Sequence, residues 1–142
     1  MKWKVIAIGK PALAFARDGA EEYLTRLKHY TQAELIFAKD AARQQQAAAG
    51  ADLRIALDER GQNLSTQELV GKIDAWELGG EIKEIALLIG ASDGHGDELR
   101  ASAKELWAFG KITLQHELAL VVLLEQIYRA YTIKRGEPYH RE

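Results

Sequence analysis

The chain of 142 residues contains no cysteine. It therefore forms no disulfide, no thiolate metal site and no cysteine nucleophile. Its longest apolar run, Leu118–Leu124, covers seven residues, whereas a membrane-spanning helix needs about 20. The first residues also lack the pattern of a signal peptide. These absences predict a protein without a membrane span and, since missing cysteine suits a reducing compartment, a cytoplasmic one.

An excess of positive charge is also lacking. Lysine and arginine number 19, aspartate and glutamate 21, and the formal net charge is −2. A protein that holds nucleic acid by general charge is usually basic. Residues 129–142 carry four basic and two acidic side chains. Contact with nucleic acid would therefore depend on a local patch such as this one.

The histidines show no metal-binding pattern. The four are His29, His95, His116 and His140, and no two have the i, i+4 spacing of a zinc-binding helix. We therefore expect no metal. A hydrophobic content of 47% and a charged content of 28% are ordinary for globular proteins. Together with the length they predict one domain over residues 1–142.

Segments typical of strands and helices alternate along the chain. Predicted strands cover residues 3–8, 34–38, 53–57, 85–89 and 111–114, and predicted helices follow Pro11 and cover residues 39–51, 66–78, 97–107 and 117–134. Such alternation predicts an α/β fold in which helices flank a mainly parallel sheet.

Several boundaries have local chemical signals. Ser65 and Glu68 have the spacing of a capping box, and Gly79 and Gly80 predict the end of that helix. The residues from Asp58 to Gly61 predict a turn after the third strand. The helix at residues 39–51 has no large apolar residue and is expected at the surface.

Two segments are strongly apolar. The run 85–89 predicts a central strand that is covered on both faces. The helix at residues 117–134 is apolar on almost every side at its start, so it is expected in the core or against another subunit. Because its apolar residues exceed the needs of one small core, we expect a symmetric dimer. These residues are Leu118, Leu120, Val121, Val122, Leu123, Leu124 and Ile127.

Two loops are candidates for a nucleotide-like site. Residues 89–96 form a glycine-rich segment after a buried strand, which is where α/β proteins bind nucleotides. Their spacing matches neither the dinucleotide fingerprint nor the phosphate loop, so a plain turn stays open. Residues 107–116 mix aromatic, glycine and polar residues. They fit the wall of an adenine pocket or an ordinary turn and strand.

Polar groups also collect on the last helix and behind it. Glu125, Tyr128 and Arg129 lie within about one turn of each other, as a surface ion pair, an interface contact or part of a site. Residues 138–142 read Pro-Tyr-His-Arg-Glu. These groups can stack on a base, bind a phosphate and move a proton.

The glycine loop, the turn Thr113-Leu114-x-His116, the helical segment Leu124-Glu125-Gln126-x-Tyr128-Arg129-Ala130 and the terminal pentapeptide occur in that order. In this the whole chain resembles the bacterial ribosomal RNA large-subunit methyltransferase H family, of the SPOUT class. The resemblance implies a C-terminal trefoil knot, a homodimer and S-adenosylmethionine as cofactor. It also implies methylation of N3 of a pseudouridine in 23S rRNA on the assembled 70S ribosome.

The resemblance assigns site residues position by position. The cofactor contacts are expected at Leu57, Gly90, Phe109, Gly110, Lys111, Ile112, Thr113 and Leu114. The residues expected to approach the RNA and take part in catalysis, within reach of the partner subunit's site, are Tyr139, His140, Arg141 and Glu142.

Three positions depart from the family pattern. Ala91 stands for a second glycine, Gln115 for a proline and Leu120 for an arginine. The changes at Leu120 and Ala91 leave open an alternative function, a catalytically altered ribosome-binding or assembly factor with the same fold. A different nucleotide-binding enzyme is a weaker third interpretation, because phosphate-loop chemistry is missing.

Overall fold

A computed structural model describes residues 1–90 and 97–139, except the side chains of residues 98 and 99. The strands are β1 (Lys2–Ile8), β2 (Gln32–Ala38), β3 (Leu53–Asn63), β4 (Glu84–Leu88) and β5 (Glu105–Ala108). The helices are α1 (Ala14–Leu27), α2 (Ala41–Ala48), α3 (Thr66–Gly79), α4 (Asp97–Ser102) and α5 (His116–Lys134). Within the described residues the predicted alternation of strands and helices is confirmed.

The five strands form one sheet in the order β2-β1-β4-β3-β5, and every neighbouring pair is parallel. The predicted central strand is confirmed, since β4 lies between β1 and β3. Side chains alternate between two apolar clusters, as the twofold period of a strand requires. Leu87 faces the larger cluster, which includes α1, α3 and α5. Leu88 faces the smaller one, which includes Ala48 of α2.

The predicted caps of α3 are present. The Ser65 hydroxyl accepts a hydrogen bond from the Glu68 N–H, and the Glu68 carboxylate accepts one from the Ser65 N–H. Gly80 ends the helix at φ 73°, a left-handed conformation that favours glycine. Because both signals are local, the sequence alone was sufficient to predict this helix.

The second half of the chain differs from the prediction. The helix expected at residues 97–107 ends at Ser102, and Glu105–Ala108 form the edge strand β5. Trp107 is 2% exposed in the larger apolar cluster. The strand expected at residues 111–114 is wrong, because this segment is a loop. Pairing with β3 therefore overrides the helical preference of the segment.

The predicted turn at Asp58–Gly61 lies inside β3, which continues to Asn63. Its pairing with β5 shifts register there, so that Trp107 lies opposite both Leu57 and Gln62. The turn chemistry therefore produces an irregularity in a long strand and does not end it. Gly61 lies against the β5 backbone at this irregularity.

The helix expected at the surface is instead partly buried. Gln44 of α2 is fully buried, and its amide group donates hydrogen bonds to the carbonyl oxygens of Ile6 (2.8 Å) and Ile89 (2.9 Å). The side chain thus joins the ends of β1 and β4. A polar residue supplies the core contact here, which a search for large apolar residues does not detect.

The long helix α5 packs against α1 and α3 on the sheet. Leu120, Leu123, Leu124 and Ile127 are at most 2% exposed. The buried Trp3 indole N–H donates to the Tyr131 hydroxyl (3.0 Å), which donates to the Glu77 carboxylate (3.0 Å). Burial, first among the causes, raises the pKa of Tyr131 to about 12. This neutral hydroxyl ties α5 to β1 and α3.

Gly61→Ala tests the irregularity in β3. A Cβ atom would lie 2.5 Å from the carbonyl carbon and oxygen of Leu106 and 2.6 Å from the Trp107 nitrogen. Since backbone cannot yield as a side chain does, we expect a loss of about 2 kcal/mol in the free energy of unfolding. Gly71→Ala in α3 meets no atom within 4 Å and should gain roughly 0.5–1 kcal/mol. Equal urea midpoints for the two variants would contradict this account.

Candidate functional site

Residues 57–60 of β3 and the carboxyl ends of β4 and β5 surround a cavity of about 680 Å³. In parallel sheets this edge is where ligands bind. The lining residues come from β3, from the residues after β4, from α4, from β5 and the loop after it, and from the start of α5. They are Leu57, Asp58, Glu59, Arg60, Ile89, Gly90, Arg100, Trp107, Ala108, Phe109, Gly110, Ile112, Thr113, Leu114, Gln115, His116 and Ala119.

Seven of the eight residues predicted to contact the cofactor line this cavity. Lys111 is the eighth and is not among the lining residues. The other seven are Leu57, Gly90, Phe109, Gly110, Ile112, Thr113 and Leu114. The structure thus brings together positions that are up to 57 apart in the sequence. Their contact with a cofactor stays a prediction.

The loop after β5 forms one wall of the cavity. Gly110 has φ 81°, a value that favours glycine. The Thr113 hydroxyl donates to the Glu59 carboxylate at 2.8 Å, which ties the loop to β3. Ile112 leaves 76% of its surface exposed. An exposed apolar side chain at a cavity rim is suited to cover a ligand.

The charged rim beside β3 was not among the predicted site residues. The Arg100 guanidinium lies 3.2 Å from the Asp58 carboxylate and also pairs with Asp97. Both carboxylates raise the pKa of Arg100, and the hydrogen bond to Asp97 has the largest effect. One signal in the sequence indicated this rim, since residues 58–60 directly follow the predicted strand 53–57.

Gln115 caps α5 at the cavity. Its side-chain oxygen accepts hydrogen bonds from the N–H groups of Glu117 and Leu118, both at 2.9 Å. These are among the N–H groups that a helix start leaves without a partner. The glutamine at the position of the family's proline therefore keeps the helix start ordered.

Glu117 links this helix start to α1. Its carboxylate accepts a hydrogen bond from the Leu13 N–H at 2.9 Å. Hydrogen bonds from the backbone N–H groups of Leu13 and then Ala12 hold its pKa below the ordinary value. The His116 ring nitrogen Nε2 lies 3.8 Å from the same carboxylate. Glu117 is therefore a structural anchor beside the cavity.

Tyr139, the last described residue, packs on α5 and α1. Its hydroxyl donates to the Glu125 carboxylate at 2.8 Å. The same carboxylate oxygen of Glu125, Oε2, accepts a hydrogen bond from Arg129 Nη2 at 2.7 Å. The Tyr139 ring meets Tyr128 edge to face, with centroids 4.6 Å apart. Burial, together with Tyr23 and Glu125, raises the pKa of Tyr139.

Tyr139 does not line the cavity. The other three predicted catalytic residues, His140, Arg141 and Glu142, lie outside the described residues. Glu125, Tyr128 and Arg129, which the sequence placed on one helix face, form one cluster with Tyr139. The cluster holds the terminal tail, by which we mean the residues after α5, 135–142.

A second contact anchors the tail and was not predicted. The Tyr30 hydroxyl donates to the Glu137 carboxylate at 2.6 Å, and this hydrogen bond raises the pKa of Tyr30 to about 12. Gly136 turns the chain at φ 66°, and the Glu137 N–H donates to the Thr132 carbonyl oxygen. The chain therefore reverses after α5 and runs back along it.

Within residues 1–90 and 97–139, no group of three or more histidine and carboxylate side chains is placed to hold a metal ion. In the same residues no helix is long and apolar enough to cross a membrane.

Known proteins are similar to this chain over almost its entire length. A family model described as predicted SPOUT methyltransferase matches residues 1–140. The chain is 43% identical over 141 residues to ribosomal RNA large subunit methyltransferase H of Thermus thermophilus, covering 99% of each. It is 44% identical over 146 residues to the protein of that name from Deinococcus deserti, covering 99% of this chain and 100% of the relative.

Solved structures show the same fold at low identity. A probable methylase family protein from Haemophilus influenzae matches with a TM-score of 0.64 at 12% identity, over 99% of this chain and 70% of that one. A probable methyltransferase from Bordetella pertussis matches with a TM-score of 0.63 at 12% identity, over 92% and 95%.

Glu117→Gln tests the anchor beside the cavity. Because the pKa of Glu117 is lowered in the folded state, its charge contributes stability that is complete above about pH 4.5 and is lost as pH falls through the lowered value. We expect the variant to melt at a lower temperature than wild type at pH 7, and the difference to shrink as pH falls through the lowered pKa. The exposed Glu81, changed to glutamine, is the control. A difference independent of pH would contradict the assignment.

Proposed function

Because the chain belongs to the SPOUT methyltransferase family, we infer that it is an rRNA methyltransferase that uses S-adenosylmethionine. We propose further that it methylates N3 of a pseudouridine in 23S rRNA, on the assembled 70S ribosome. The observation that carries the cofactor assignment is the cavity between residues 57–60 of β3 and the carboxyl ends of β4 and β5. The choice of RNA rests on the relatives named above, which align over almost the entire chain.

The cavity fits S-adenosylmethionine in size and in lining. Small-molecule sites measure roughly 300–1,000 Å³ and combine apolar walls with a few polar groups. Here Leu57, Ile89 and Leu114 supply apolar walls, while Thr113 and Asp58 supply polar groups. We propose that residues 109–114 wrap the adenosine. When bound, S-adenosylmethionine supplies a methyl group on a cationic sulfur, which is electrophilic without further activation.

The remaining chemistry belongs to the protein. N3 of pseudouridine carries a proton, so a base or a stabilised anion is needed. We propose that His140 or Glu142 accepts this proton. Arg141 would contact a phosphate, which its guanidinium can bind through two N–H groups. Tyr139 would stack on a base of the RNA or form a hydrogen bond with the RNA. The hydrogen bond from its hydroxyl to Glu125 supports a positioning role.

A homodimer would bring the tail to a cavity. The cavity lies at the first turn of α5, whereas Tyr139 packs near Glu125 and Arg129 in the second half. We propose that the tail of one subunit completes the cavity of its partner. An apolar patch supports the pairing, since Leu13 and Phe15 are 40% and 57% exposed at the start of α1.

The apolar residues of α5 were expected to exceed the needs of one core, and this argument for a dimer holds only in part. Leu120, Leu123, Leu124 and Ile127, four of the seven apolar residues of α5, are buried within one chain. Leu118, Val121 and Val122 are half-buried. The interface would therefore use these three side chains together with the exposed residues of α1.

Three further features belong to the proposal. The chain passes from β4 beyond β3 to the edge strand β5 and returns as α5 against α1 and α3. This course supports the trefoil knot of the family, a rare feature in proteins. Residues 1–142 would form a single domain, and a ribosomal substrate would imply a cytoplasmic location.

The catalytically altered alternative loses one of its two supports. Leu120 is 2% exposed in the larger apolar cluster. It is not among the residues that line the cavity. Its uncharged side chain therefore suits the core and removes nothing from the site. The other support, Ala91, lies outside the described residues.

Transfer of labelled methyl groups to 70S ribosomes that lack this modification tests the function. We expect stoichiometric transfer to 23S rRNA, mapped to a pseudouridine, by the wild-type chain. A chain truncated before Tyr139 should bind S-adenosylmethionine and remain dimeric but lose at least 100-fold in rate, as expected for removal of acid–base groups. Wild-type rates from the truncated dimer would exclude the tail from catalysis.

Ile112→Ser tests the cofactor wall. Because Ile112 is 76% exposed without a ligand, its replacement should leave stability unchanged. If the adenosine covers it, we expect calorimetry to show affinity for S-adenosylmethionine about tenfold lower, since burial of such a side chain contributes about 1.5 kcal/mol or more. Leu78→Ser is the matched control, because Leu78 is 88% exposed on α3 away from the cavity. Equal affinities in the two variants would contradict the assignment.

A further inference from the structure

We propose that a basic cleft at the amino ends of β1, β2 and β4 binds backbone phosphates of the rRNA substrate. The inference rests on the proposed function and adds to it a second RNA contact, separate from the cofactor cavity. The cleft has a volume of about 450 Å³. Its lining residues are Met1, Lys2, Lys28, His29, Tyr30, Thr31, Gln32, Glu77 and Lys83.

The cleft concentrates positive charge in a chain whose net charge is −2. Three lysines and one glutamate line it. Lys28 and Lys83 are exposed, and in the part of the chain that the structure describes neither makes an ion pair with a carboxylate. Lys2 lies 3.2 Å from Glu34. Two ammonium groups therefore remain available for an anion.

The charge of Glu77, the single carboxylate in the cleft, is partly offset, because it shares the Lys134 ammonium group with Asp74. Glu77 lies 2.5 Å from the Lys134 ammonium group, which also lies 2.7 Å from Asp74. The Tyr131 hydroxyl donates to the other oxygen of Glu77 at 3.0 Å. Repulsion of an anion by Glu77 is reduced accordingly, and the electrostatic character of the cleft is set by its lysines.

The position of the cleft connects it with the substrate side of the site. Tyr30, which lines the cleft, also holds Glu137 at the base of the tail. The exposed Arg135 places its guanidinium 4.9 Å from the centre of the Tyr30 ring. An RNA that the tail engages would therefore pass beside these cations. Their separate ammonium groups suit the phosphates of a backbone, which position an RNA without reading its sequence.

The double variant Lys28→Gln, Lys83→Gln tests the cleft. The matched control is Lys39→Gln, Lys104→Gln, which removes the same charge from exposed positions that do not line either cavity. Methyl transfer to 70S ribosomes is measured between about 50 and 200 mM salt. Binding to ribosomes is measured in parallel by sedimentation, and circular dichroism melting checks the fold.

For the cleft variant we expect KM for ribosomes to rise at least fivefold at unchanged kcat. The slope of log(kcat/KM) against log salt should decrease in magnitude by about 1.5, since each lost phosphate contact removes roughly 0.7–0.9. The control should match wild type. Equal slopes and KM values for cleft variant and control would overturn the inference.

The two proposals fail in different ways. If wild type transfers no methyl group, the proposed function fails, and sedimentation still decides the cleft. Loss of ribosome binding in the cleft variant alone would then support the cleft, whereas equal binding by both double variants would overturn it.

Discussion

The burial of α5 against one face of the sheet is the constraint on which the site depends. Leu120, Leu123, Leu124 and Ile127 fix which side of the helix faces the sheet. Hydrogen bonds from Trp3 to Tyr131 and on to Glu77 fix its orientation further along. The first turn therefore stays at the cavity, and the last turn stays beside the terminal tail. Neither end can move without disturbing the core.

Local signals were sufficient for much of the fold. The capping box before α3, the apolar run of β4 and the alternation of strands and helices could all be predicted from the sequence. The strand β5 could not, because residues 97–107 contain mainly good helix formers, and the preference for a strand at Glu105–Ala108 arises from pairing with β3. The extension of β3 beyond Leu57 depends on the same non-local pairing.

For the site, too, part could be predicted from the sequence and part could not. The resemblance to a family placed the cavity wall at residues 109–114, and the structure puts five of these six at the cavity. The pairs that complete the surroundings join distant residues. Arg100 is 42 positions from Asp58, and Tyr30 is 107 positions from Glu137. No local pattern reports such pairs, since each partner alone resembles an ordinary surface residue.

The length of α5 has a consequence for how such a chain can vary. Its 19 residues span roughly 28 Å. Insertion of one residue would advance the helix by about 1.5 Å and turn everything beyond it by about 100°. The cluster of Glu125, Arg129 and Tyr139 would then face a different neighbour, while the first turn stayed in place. We therefore expect insertions and deletions to accumulate in loops such as residues 80–83, and the length of α5 to stay constant.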